Sequence, residues 1–147
     1  MAVIIHSDEF VKGLDEFLEG FVQGVAKATE LACTEVENRA KEKAHKKNST
    51  GELSQSLKHA TQVQGNTVSG VVGSDQDYAV YVHEGTGQFA RKGDGRPTPW
   101  TWYSESRDRF VRTSGYKANP FLEAAADEAH DRIAQIFQAT ILGGANG

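Results

Sequence analysis

Five histidines, a single cysteine and a threonine set between two glycines are the residues of this sequence best suited by type to chemistry. The histidines are His6, His45, His59, His83 and His130. None is spaced as HxxxH or HExxH, the patterns that set two imidazoles on one helix face to hold a metal. His83 and Glu84 form an acid–base pair by type. The apolar run before them, Tyr78–Val82, reads as a strand, and neighbours on a strand point to opposite faces. A small toxin or hydrolase using His83 and Glu84 stays as one alternative function. His130, with Asp127 and Asp131, falls on the polar face of a predicted helix, which needs charges anyway. Cys33 has no partner for an intramolecular disulfide, fits synthesis in a reducing cytoplasm, and reads as a small helix residue rather than a nucleophile. Gly85-Thr86-Gly87 lacks the lysine and helix start of a phosphate loop. No serine lies in a G-x-S-x-G context. The sequence therefore assigns no catalytic residue, no metal and no cofactor, and reads as a non-enzyme.

The most site-like segment runs from Gln88 to Lys117. It carries seven bases against three acids, and six of the chain's thirteen aromatic residues. Phe89, Arg91, Arg96, Trp100, Trp102, Arg109 and Arg112 are the candidate contacts. Aromatic rings with arginines between them anchor protein interfaces. They can also stack bases and hold phosphates, and a third reading is a local core beneath a long loop. The interface ranks first, the local core second and a nucleic-acid-binding module over residues 88–117 third, because the net charge of the chain is −4.

Three kinds of element must position these residues. Phe10, Leu14, Phe17, Phe21, Val25, Ala28, Ala32, Val36 and Ala40 recur at steps of three and four, which predicts one helix over 8–46. Ser7 is its candidate N-cap. Asp8–Glu37 holds eight acids and two bases, and Asn38–Lys47 one acid and five bases, a gradient matched to the helix dipole. Such a helix is roughly 58 Å long, against a diameter of roughly 40 Å for a compact domain of this size. An unbroken helix then needs another chain for its apolar stripe, with Phe10, Leu14, Phe17, Phe21 and Val25 as the oligomer interface. A bend at Gly20–Gly24, folding the stripe onto its own domain, is equally open. Ser49 with Glu52 has capping-box spacing for a short helix bearing Leu53 and Leu57. A hairpin turns at Gly65-Asn66 between Thr61–Gln64 and Thr67–Val72. Trp100–Tyr103 and Arg109–Thr113 read as two further strands around the turn Ser104–Asp108. Asn119 caps and Pro120 opens a last helix, which Gly143-Gly144 should stop. Tyr78, Tyr81, Gly85, Pro120 and Phe121 are assigned to holding the fold.

The fold class is thus α+β: a long N-terminal helix, a short helix, a small mostly antiparallel sheet with a basic–aromatic hairpin loop, and a C-terminal helix. A single domain is expected over 1–147, with the sheet and loop at 60–115 and the last helix at 119–142. No apolar run approaches the ~18 residues of a membrane span, and MAVIIHSDEF lacks the basic start of a signal peptide.

Three stretches, in order, resemble a family of tailed phages. Thr50-Gly51-Glu52-Leu53-Ser54-Gln55-Ser56-Leu57 matches a TGxLxxSL pattern. Tyr78–Gly87, YAVYVHEGTG, matches YAxYVExGTG, departing at His83-Glu84, where an acid–aromatic pair is common. Gly115 with Pro120-Phe121-Leu122-Glu123-Ala124-Ala125 matches G-x-x-x-x-PFLxPA, with Ala124 in place of the second proline. On these motifs the chain resembles the gene-product-ten-like tail component. The resemblance implies a structural virion protein of the neck or the head-proximal end of the tail, made in the host cytoplasm, that completes the tail or joins it to the head. It implies a ring of copies, a hexamer with a dodecamer as the alternative, in contact with neighbouring neck and tail proteins. DNA would pass through the channel without sequence-specific binding, and no membrane would be involved.

Overall fold

A computed structural model describes residues 7–45 and 50–145, with side chains from Asp15 to Gly143. The elements are helices α1 (Ser7–Ala44), α2 (Glu52–Ser56), α3 (Ala79–Glu84) and α4 (Phe121–Ala145), and strands β1 (Leu57–Gln64), β2 (Thr67–Ser74), β3 (Trp100–Ser104) and β4 (Arg109–Thr113). The α+β class holds. The strands form two separate two-stranded antiparallel sheets, β1–β2 and β3–β4, where one sheet was expected.

α1 is one uninterrupted helix of 38 residues that passes through Gly20 and Gly24. Ser7, expected as its cap, is its first residue, and the side chains of Ser7, Phe10 and Leu14 lie outside those described. The chain divides into two compact units. One comprises α1 up to Glu35, residues His59–Val72, and α4 from Ala129 onward. Among the described residues its buried ones are all small: Ala28, Ala32, Cys33 and Ala129. Small side chains let backbone come close. A Cβ built on Gly70 of β2 would meet Cys33 Sγ at 2.4 Å and Thr29 Cγ2 at 2.8 Å. At the edge of this contact Glu30 binds His59 Nε2 at 2.8 Å and accepts from Thr61 Oγ1 at 2.6 Å. Gly65 turns the hairpin with φ +60°, the positive value a type II′ turn requires at its first central position.

The other unit comprises residues 36–58 and 73–128. Its core is Ala40, Ala44, Leu53, Leu57, Phe121 and Ala125, with Val36, Ala79, Val82 and Leu122 packed around it. Two polar side chains donate to carbonyls in the last turn of α1, of which Lys41 O also accepts from His45 N at 3.0 Å. Ser54 Oγ donates to Lys41 O at 2.9 Å, and Asn119 Nδ2 donates to Lys43 O at 3.0 Å.

Four local expectations are corrected. Gly51, with φ +79° and no side-chain cap bond, is the N-cap of α2 where Ser49 was expected, and Ser49 itself lies outside the described residues. Leu57 leaves the helix and starts β1 with extended backbone. Residues 79–84 are a helix rather than a strand: Ala79 and Val82, three apart, both pack on the core, while Val80 and Tyr81 between them are 53% and 62% exposed. Gly143-Gly144 does not end α4, which continues to Ala145.

Candidate interaction surfaces

The two stretches YAVYVHEGTG and TSGYKANPF meet in a backbone clasp. Thr86 N donates to Tyr116 O at 2.9 Å and Gln88 N to Ser114 O at 3.1 Å. Tyr116 N donates back to Thr86 Oγ1 at 3.0 Å. Asn119 N reaches Val82 O at 2.9 Å and so seats the start of α4. Glycine is required here because main chain packs on main chain. Gly85 and Gly87 have φ +79° and +62°, and a Cβ on either would come within 2.6 Å of a carbonyl oxygen. The Gly-Thr-Gly sequence therefore serves a crossing of two chain segments.

Beside the clasp, His83 Nδ1 and Glu84 Oε1 are 2.7 Å apart, an approach that the helical backbone of α3 permits. That overturns the expectation that the pair faces opposite ways. The pair still lacks the geometry of a reactive site. His83 Nε2 is buried with no hydrogen-bond partner among the described residues, and the ring stands edge-on to Phe121 at 5.2 Å. The Glu84 carboxyl is held below its ordinary value of 4.5, first by the His83 hydrogen bond and also by the nearby Arg91. Arg91 bridges to Glu123 at 2.9 Å, which lowers the Glu123 carboxyl in turn. Arg91 N also donates to Glu84 O at 2.9 Å. Arg91, read from the sequence as a partner contact, thus ties its loop to α3 and α4. Among the described residues no cluster of metal-binding side chains occurs, and no helix is long and apolar enough to cross a membrane.

The β3–β4 hairpin displays aromatic residues on both faces. Trp100 pairs with Thr113, Trp102 with Val111 and Ser104 with Arg109 on one face. Thr101 pairs with Arg112 and Tyr103 with Phe110 on the other. The two tryptophans share a face, as alternation predicts. Arg96 lies over Trp100, 5.8 Å from the ring centroid. Tyr103 and Phe110 pack edge to face at 5.3 Å, and Phe110 is 74% exposed. Tyr103 donates to Asp108, which raises its phenol above the ordinary value. Arg109 and Arg112 fall on opposite faces, so the hairpin presents no single basic–aromatic platform. Phe89 is exposed beside the clasp.

A second apolar surface lies in the other unit. Phe17 and Phe21 stack at 6.5 Å on α1, and both are exposed. With Gly20, Gly24, Thr140, Ile141 and Leu142 they line a groove of about 600 Å³. Val25 is half-buried. Of the residues assigned to the fold, Phe121 is 1% exposed, Gly85 is buried and Pro120 half-buried, while Tyr78 and Tyr81 are exposed. The sequence reading missed the α4 wall of the groove. The uncharged run from Ile133 to Ala145 was its available signal.

Comparison with known proteins gives one match. Residues 8–85 match the family described as "Bacteriophage HK97-gp10, putative tail-component". No curated protein and no solved structure matches the chain.

Proposed function

The chain belongs to the HK97-gp10-like family of bacteriophage tail components, and from that premise we propose that it is a neck subunit that forms a ring and completes the tail or joins it to the head. The family is one of structural tail components, not enzymes, and a tail component resides in the virion among other tail proteins. The ring, a hexamer in this reading, and the joining step are the proposal. The observation that carries it is the exposed Phe17–Phe21 stack on α1. Two phenylalanines left in water on a long helix are a surface to be covered by protein. Work would be done by ordered docking, with no turnover. Phe89, Trp100 and Trp102, with Arg96, Arg109 and Arg112, would meet neighbouring neck and tail proteins, and DNA would pass without sequence-specific contact.

The reading as a nucleic-acid module is weakened by the hairpin's geometry. Its arginines are split between faces, and Arg91 is committed to Glu123. The deciding experiment is the native mass of the purified protein beside the phenotype of a phage lacking its gene. A closed oligomer, and filled heads that fail to join tails, are expected. A strictly monomeric protein, together with infectious particles made without it, would overturn the proposal.

A further inference from the structure

We infer that the groove between Phe17, Phe21 and Leu142 receives the β3–β4 hairpin of a second copy of this chain, with Phe110 and Tyr103 as the inserted rings. The inference rests on the self-assembly just proposed and specifies its contact. Three observations converge on this occupant. The groove is apolar, about 600 Å³, and the charged residue in its lining is an acid, Glu16 on α1. The stretch of α1 that walls it, from Glu16 to Gly24, carries no base. The hairpin is the opposite: Phe110 is the most exposed of the described large hydrophobic residues, and the exposed Arg112 shares its face. The acid on the hairpin nearest these rings, Asp108, already accepts from Tyr103.

Charge and apolar character therefore match between two different surfaces of the same chain. Such a contact is heterologous: each copy offers a groove to one neighbour and a hairpin to the next. Head-to-tail contacts of this kind generate rings where the rotation closes. A groove that instead met another groove would set Glu16 against its own copy, and like charges facing each other across an interface are costly.

The logic of a two-surface contact gives a direct test by complementation. Phe21→Arg disables the groove and Phe110→Arg disables the hairpin, at exposed positions that leave the buried cores intact. Each variant alone should lose association on the order of 30-fold or more, as when an aromatic hot spot is removed, and run at the 16.0 kDa of one chain. Mixed in equal amounts, they retain one intact groove and one intact hairpin per pair. The mixture should then give a species of twice the chain mass and nothing larger. Circular dichroism melts of both variants check that they are folded. A Phe110→Arg protein that assembles like wild type would overturn the hairpin as occupant while leaving the ring proposal standing. Folded variants that stay monomeric when mixed would also overturn it. Wild-type protein that never assembles would sink the ring proposal and this inference together.

Discussion

Gly87 and Ser114 approach so closely that a Cβ on Gly87 would sit 2.2 Å from the Ser114 carbonyl oxygen. The contact closes the clasp in which Gln88 N donates to that same oxygen. Gly87 also has φ +62°. Gly87→Ala therefore meets two penalties: a left-handed backbone, at roughly 1–2 kcal/mol, and overpacking, at roughly 1–3 kcal/mol. A loss of about 2–5 kcal/mol is expected in chemical denaturation. Gly93→Ala is the control, since φ is +71° there but nothing lies within 4 Å of the added carbon. It should cost only about 1 kcal/mol. Equal losses at the two positions would show that the close approach is not what the clasp depends on.

Phe121 and Tyr81 should behave as opposites although both fall in the motifs of the resemblance. Phe121 is 1% exposed at the centre of the core of its unit, and Tyr81 is 62% exposed. Phe121→Ala should cost roughly 3–5 kcal/mol, a large part of a typical 5–15 kcal/mol stability. Tyr81→Ala should fall within about 0.5 kcal/mol of wild type. Thermal melts of the two variants decide it. A Phe121→Ala protein that melts like wild type yet fails in tail joining would move Phe121 from the core to an interface.

The contrast between these two residues also marks what the sequence could reveal. Periodicity over many turns carried α1 and α4, and the Gly65-Asn66 turn with its flanking alternation carried the first hairpin. The run Tyr78–Val82 is too short for a period to declare itself, and a five-residue apolar segment suits a buried strand as well as a helix. Only the spacing of Ala79 and Val82 against a core assembled from distant segments resolves it. The clasp was invisible for a similar reason. A glycine signals conformational freedom, but the partner that makes Gly87 necessary, Ser114, is remote in sequence. The candidate surfaces divide the same way. Aromatic and basic residues could be counted along the hairpin, whereas the groove needs Ile141 and Leu142 brought beside Phe17 and Phe21 by the fold.

Acid should loosen the second unit through three carboxylates. Glu84, Glu123 and Glu128 are each held below the ordinary 4.5, chiefly by hydrogen bonds from His83, Arg91 and Lys43 respectively. A carboxyl whose folded value is depressed adds stability above its unfolded value and loses it as pH falls through the folded one. Stability should therefore decline as pH drops below about 4.5. Glu123 and Glu128 are exposed and Glu84 is half-buried, so the effect is modest and weakens with salt. Arg91→Met and Lys43→Met should flatten this acid limb in urea midpoints taken across the range. Unchanged pH slopes in both variants would mean that these pairs contribute nothing to the folded state.

Phe17 and Phe21 should separate assembly from folding. They stack on each other at 6.5 Å while remaining 67% and 48% exposed, so the free subunit gains little by burying them. Replacing both by serine removes apolar surface from water at a helix position that no described core residue covers. Serine and phenylalanine have similar helix propensities, and the folded state should change by no more than about 1 kcal/mol. Association should respond far more strongly, because aromatic anchors dominate interface energies. Light scattering on the double variant should then report a lower mass at an almost unchanged melting temperature. The opposite pattern, a melting temperature lower by many degrees with the wild-type mass retained, would place the two rings inside the fold of the single chain and leave the assembly contact to be sought elsewhere.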